Sequence, residues 1–136
     1  MPPKLTALGY AEVAIVVGDL KRAVAFYIDV VGYQTTSHDV GPRAKILKVG
    51  PNNYLGLWEP GAWRSDYFDG KYGDRFGLSV LQAHLVFAVA ATDIGPLKQR
   101  LESAGHPTVG PNTHADGSPH LYVIDPDGHP MEFWGK

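Results

Sequence analysis

The chain has 136 residues, 44% of them hydrophobic, with a formal net charge of -2 and an isoelectric point near 6.3. That length and apolar content suit a single domain with one or two small cores and exclude disorder. The charge balance gives no electrostatic basis for binding nucleic acid or an anionic membrane, and without cysteine neither a disulfide framework nor a thiolate zinc site can form.

Glu12 to Val17, EVAIVV, carries a strand signal that Gly18 and Asp19 break. Asp19 is a good N-cap for a helix from Leu20 to about Val31, with Leu20, Ala23, Phe26, Tyr27 and Val30 at helical spacing and Gly32 as its stop. Tyr33 to Ser37, Ala44 to Val49 and Tyr54 to Trp58 read as three further strands separated by Gly-Pro and Pro-Asn-Asn turns. A polar and aromatic stretch, Glu59 to Gln82, follows. It holds Trp63, Tyr67, Phe68, Tyr72 and Phe76, and two readings stand for it, a lid over a site or a dimer contact. Ala83 to Ala90 is the next strand, and Thr92 or Asp93 can cap a helix to about Ala104 that Gly105 ends. A short strand near Pro107 to Gly110, then His120 to Ile124 and His129 to Trp134, complete the set. The opening MPPKLTALGY lacks the apolar segment of a signal peptide, and no apolar run approaches the roughly 20 residues that span a bilayer, so a cytoplasmic protein is expected.

The two halves repeat one another. Each reads β-α-β-β-β, EVAIVV aligns with HLVFAV, and Val49-Gly50-Pro51-Asn52-Asn53 followed by Gly56-Leu57-Trp58 aligns with Ile124-Asp125-Pro126-Asp127-Gly128 followed by Glu132-Phe133-Trp134. Duplication pairs Glu12 with His84 and Gly56 with Glu132 about a pseudo-two-fold axis. Module one covers about residues 8–60, the linker 60–81 and module two 82–136. Glu132 is an acid in an otherwise apolar final strand, on one face with Trp134 and opposite Met131 and Phe133, and it needs a partner or a wet face.

With EVAIVVGDLKRAVAFYIDVVGY, AHLVFAVAATD and YVIDPDGHPMEFW in view, the chain resembles the vicinal oxygen chelate superfamily, which includes glyoxalase I, fosfomycin-resistance transferases, extradiol dioxygenases and metal-free bleomycin-resistance proteins. The resemblance implies an α+β fold of two tandem βαβββ modules, with curved mixed sheets around a central cleft. It implies a divalent metal (Mn, Fe, Ni, Co or Zn) held by Glu12, His84 and Glu132. Glu12 stands where His or Gln is usual, and Gly56 stands where some relatives have a fourth ligand, which leaves room there for an apolar or aromatic substrate beside Tyr54 and Trp58. Glu132 and Tyr122 become the candidate catalytic residues. Tyr54, Gly56, Trp58, His120 and Tyr122 become candidate substrate contacts. Glu59 falls on the opposite face of its strand by parity, and His106, His114 and His129 read as solvated. The loop from Gly110 to Gly117 has no Lys or Arg, which fits a phosphonate substrate poorly.

The expected function is a metal-dependent enzyme acting on a small oxygenated substrate, aromatic or not, by Lewis-acid chemistry, as an isomerase or lyase, with ring-cleaving dioxygenation as a live variant. The alternative is a metal-free protein that sequesters an aromatic drug. A homodimer is expected in either case, since single-chain, two-module relatives usually pair.

Overall fold

A computed structural model describes residues 10–60, 62 and 85–136. Of the Glu59 to Gln82 stretch read as lid or dimer contact, residues 61 and 63–82 lie outside the described residues, and so does His84.

Strand β1, Glu12–Val16, leads into α1, Leu20–Val24, whose N-cap Asp19 accepts a hydrogen bond from the Arg22 N–H at 2.9 Å. The helix covers the span its periodicity predicts, but its second half, Ala25–Val31, widens into π-helix. Gly32, at φ 100°, ends it in the left-handed conformation that glycine adopts without a Cβ clash. Then come β2, Gln34–Thr35, β3, Ala44–Gly50, and β4, Asn53–Trp58, giving a sheet ordered β1-β4-β3-β2. β1 runs parallel to β4, and the other pairs are antiparallel.

The second half repeats this plan with β5, Leu85–Val89, α2, Ile94–Ser103, β6, Thr108–Thr113, β7, Pro119–Ile124, and β8, Pro130–Gly135, in the order β5-β8-β7-β6. β5 is parallel to β8. Asp93 stands at the N-cap of α2 but makes no side-chain capping bond, because a 3-10 turn at Ala91–Asp93 leads into the helix instead. No helix among the described residues is long and apolar enough to cross a membrane.

Period-two alternation sorts each sheet into two faces. Ile15, Leu47, Leu55 and Leu57 from the first sheet and Leu85, Leu121, Val123, Met131 and Phe133 from the second are buried in one cluster with Phe26, Tyr27, Leu97 and Leu101 from the helices. The opposite faces carry Glu12, Tyr54, Gly56 and Trp58 in one sheet and His120, Tyr122, Glu132 and Trp134 in the other. Arg100 of α2 donates to the last-turn carbonyls of Val30 and Val31, at 3.2 and 3.4 Å, satisfying acceptors that the end of the first helix leaves open.

The β7–β8 turn is tied to module one by three side chains. Buried Asp125 accepts from the Asp127 and His129 N–H groups through Oδ1, at 2.9 and 2.7 Å, and from the Tyr27 hydroxyl through Oδ2 at 2.6 Å. Asp127 accepts from the Gly18 N–H at 2.7 Å and from Arg22 at 3.1 Å. His129, read from sequence as solvated, donates Nε2–H to the Val16 carbonyl at 2.9 Å. His106, also read so, packs edge-on against Phe26 at 4.8 Å between ring centres.

Burial, then the Asp125 charge and hydrogen bond, push the Tyr27 hydroxyl well above its ordinary value of 10.0. A raised acid favours its neutral form, so this stabilisation is complete below pH 10 and is lost as pH rises further. Tyr27→Phe should cost about 1–3 kcal/mol at neutral pH, since it strips a buried carboxylate of one donor. Urea unfolding checks it, and the difference between variant and wild type should shrink as pH climbs above 10.

Candidate functional site

Glu132 is the centre of the site. It lies mid-strand in β8, paired with Val86 of β5 on one side and Tyr122 of β7 on the other. Parity turns it away from Met131 and Phe133, yet only 5% of it is exposed. Burial is achieved by rings. The His114 Nε2 and His120 Nδ1 atoms lie 3.0 and 3.2 Å from the same carboxylate oxygen, Oε1. Tyr122 stands beside them, its ring centre 5.2 Å from that of His120.

A buried carboxylate on its own would be pushed up in pKa, and burial is indeed the largest influence on Glu132. The hydrogen bonds from His120 and His114 and the charge they can carry outweigh it, so the group is held below its ordinary 4.5 and is ionised at neutral pH. Tyr122 is shifted the other way, by burial first and then by the Glu132 charge and a hydrogen bond to it. It therefore stays protonated and can donate.

Of the residues expected from the sequence, Glu132, His120 and Tyr122 come together on this face. Glu12 does not join them. It is exposed on β1, opposite Tyr54 in register, and its carboxylate stands over Gly56 together with the Trp58 indole. The missing side chain at Gly56 therefore does not open space for a substrate, because Glu12 and Trp58 occupy the volume a Cβ would need. Tyr54 packs edge-on against His38, 5.6 Å between ring centres. Glu59 accepts from the Leu20 N–H and pairs with Arg43, at 3.0 and 3.3 Å, which gives it a structural role away from Glu132.

His114 is the residue the sequence reading missed. The signal for it was Asp116-Gly117, a turn dipeptide between polar flanks. β6 extends past a register shift between Val109 and Asn112 to pair Asn112 with His120 and Thr113 with Pro119. The hairpin then closes with the His114 N–H on the Ser118 carbonyl at 2.9 Å, which folds His114 back over the sheet. Its ring lies 3.8 Å from that of His120 and 4.8 Å from Trp134, centre to centre. The Trp134 indole is fixed by Ser118 Oγ at 2.6 Å, and Ser118 by Asp116 at 2.5 Å. Lys136 Nζ caps the Trp134 ring at 3.2 Å.

His114, His120 and Glu132 each offer one ligand atom, and these three atoms lie within 4.8 Å of one another. Two ligands of one ion, each about 2.0–2.2 Å from it, sit about 3 Å apart when adjacent, so the spacings to Glu132 fit a divalent metal. Two imidazoles and a carboxylate are also a donor set such ions accept.

This fold and this site define a recognisable group. The chain belongs to the Glyoxalase/Bleomycin resistance protein/Dioxygenase superfamily, whose family model matches residues 9–133. A lactoylglutathione lyase from Agrobacterium tumefaciens is similar in structure, with a TM-score of 0.73 and 26% identity over 95% of this chain and 94% of that one. An integron cassette protein from the mobile metagenome of Halifax Harbour Sewage Outfall has a TM-score of 0.71 and 28% identity over 96% and 100% of the two chains. A glutathione transferase FosA from Serratia marcescens is 45% identical over 49 residues, a stretch that spans 36% of this chain and only 33% of that relative.

The Glu132 shift carries a sign. A depressed carboxyl contributes stability above its unfolded value of about 4.5 and loses it as pH falls through the folded value. In chelator-treated protein, His120→Ala should therefore be less stable than wild type above pH 4.5, with the deficit shrinking on further acidification. Thermal unfolding across that range checks this, and a deficit independent of pH would mean that His120 does not hold the carboxyl down.

Proposed function

We propose that the protein is a divalent-metal-dependent enzyme of this superfamily that acts on a small oxygenated substrate at the Glu132 face. The observation that carries the reading is a buried, ionised carboxylate whose visible neighbours include two imidazoles and a protonated tyrosine. Solvated carboxylates satisfy themselves with water. A carboxylate enclosed by metal-competent nitrogen donors is better explained by a cation. Glu132 is common to two ligand sets, one with Glu12 and His84 and one with His114 and His120. A bound divalent ion would supply Lewis acidity, stabilising negative charge on an oxygen of the substrate.

The chain's own side chains supply the rest. Tyr122, kept protonated, can donate a hydrogen bond to a substrate oxygen or return a proton to a carbon neighbouring it. Trp134 and His120 offer flat walls suited to a planar or aromatic portion. Isomerisation or lyase chemistry is the preferred reaction class, and ring-cleaving dioxygenation the runner-up. The relation to a lactoylglutathione lyase supports the preference. A homodimer is part of the same proposal.

A second reading is sequestration of an aromatic molecule without metal. It has one observation behind it, a cavity of about 730 Å³ between β1 and β5, lined by Glu12, Val13, Tyr54, Leu55, Val86 and Phe87 among others.

Elemental analysis of the purified, untagged protein tests the first reading. Near-stoichiometric metal is expected, and Glu132→Ala should lose it while keeping its circular dichroism. Oxygen uptake with catechols against isomerisation of thiohemiacetals then separates the reaction classes. Protein that takes up no metal after incubation with Mn, Fe, Ni, Co and Zn salts, and that quenches its tryptophan fluorescence with aromatic ligands, would establish the second reading instead. Light scattering at micromolar concentration should give the mass of two chains, and a monomer there would remove the dimer.

A further inference from the structure

We propose that module two carries a three-donor site for a divalent transition-metal ion, made by His114 Nε2, His120 Nδ1 and Glu132 Oε1. This inference rests on the metal-dependent reading above and assigns its ligands. The ligand set implied by the family resemblance takes one donor from module one, Glu12. The set assigned here comes from one hairpin and its neighbouring strand, and needs nothing from the other sheet.

Three observations carry it. The first is convergence. Both imidazole nitrogens point at the same carboxylate oxygen, at 3.0 and 3.2 Å, and Glu12 is absent from this group. Glu12 instead stands over Gly56 beside Trp58, on a different sheet.

The second is rigidity. His114 lies between the His120 and Trp134 rings, at 3.8 and 4.8 Å. The Trp134 ring is held in turn by Ser118 and Asp116, and the hairpin by the bond from the His114 N–H to the Ser118 carbonyl. A side chain held from behind places its donor with little entropic cost on binding.

The third is donor chemistry. Two imidazole nitrogens with one carboxylate select borderline ions such as Co, Zn, Fe or Ni over Mg or Ca, which prefer all-oxygen sites. The exposure gradient, with side chains 31% exposed at His114, 13% at His120 and 7% at Glu132, gives entry from the His114 side.

Cobalt(II) binding, read by visible ligand-field absorption, tests this without an activity assay. The full chain should take up one equivalent. His114→Asn and His120→Asn should each weaken binding by about tenfold or more, while Glu12→Gln stays within about threefold of wild type. Circular dichroism reports whether each variant folds. A measurement on the unmodified protein covers any that does not: zinc(II) should shift the ring-nitrogen resonances of His114 and His120. Wild-type affinity in both module-two variants, with loss in Glu12→Gln or His84→Asn, would overturn this ligand set and leave the metal-dependent function standing. Unshifted His114 and His120 resonances in zinc-loaded protein would do the same. A wild-type protein that takes up none of Mn, Fe, Ni, Co and Zn would overturn both.

Discussion

Buried Asp125 holds the two halves of this chain in register. A carboxylate out of water is costly unless its lone pairs are filled. Here two turn N–H groups and the Tyr27 hydroxyl fill them. The first two bonds shape the turn between β7 and β8. The third fastens that turn to the helix of module one, 98 residues earlier in the chain. Asp127 and His129 add bonds to Gly18, Arg22 and Val16, so the turn grips the end of β1 and the start of α1 from three directions. The position of β8 follows from this grip, and with it the position of Glu132.

Two acids are buried among the described residues, with different partners. Asp125 is satisfied by backbone amides and a phenol, none of which can be exchanged for an ion without dismantling the turn. Glu132 is satisfied in part by imidazoles, whose nitrogens also serve as metal ligands. The first arrangement suits a permanent structural bond. The second suits a site that must empty and fill. Partner chemistry, more than depth of burial, separates scaffold from reactive centre here.

The sequence made the scaffold and Glu132 legible because both rest on local patterns. Alternation in EVAIVV and MEFW, caps such as Asp19, and the repeat of turn and strand between Pro51 and Pro126 all act over a few residues. What stayed hidden depends on distant packing. The π-helical widening at Ala25–Val31 preserves helical spacing nearly unchanged, so periodicity does not reveal it. Gly56 looked like a vacancy because its lost side chain is visible in sequence, whereas the Glu12 and Trp58 atoms filling the gap come from a parallel neighbour and from two residues along. His114 looked like a loop residue because the register shift at Val109 to Asn112 carries β6 beyond its apparent end. Only the closed hairpin turns a polar loop histidine towards a buried acid.

These hidden features bear on how the duplicated modules diverged. Gly56 and Glu132 are equivalent positions, each mid-strand beside a parallel partner, Ala14 in one sheet and Val86 in the other. In module one the central position is a glycine, and a tryptophan two residues on closes the space above it. In module two the central position keeps its carboxylate, and the tryptophan two residues on is drawn aside by Ser118, where it backs His114 and leaves the carboxylate to the imidazoles. The same strand pattern, small-x-Trp against Glu-x-Trp, thus gives a packed face and a donor-lined face. A tryptophan of fixed register can fill a gap or support a ligand. Trp134 does the second because Ser118, four residues beyond His114 in the same hairpin, holds its N–H, so the turn that brings in the additional imidazole also positions the ring that backs it.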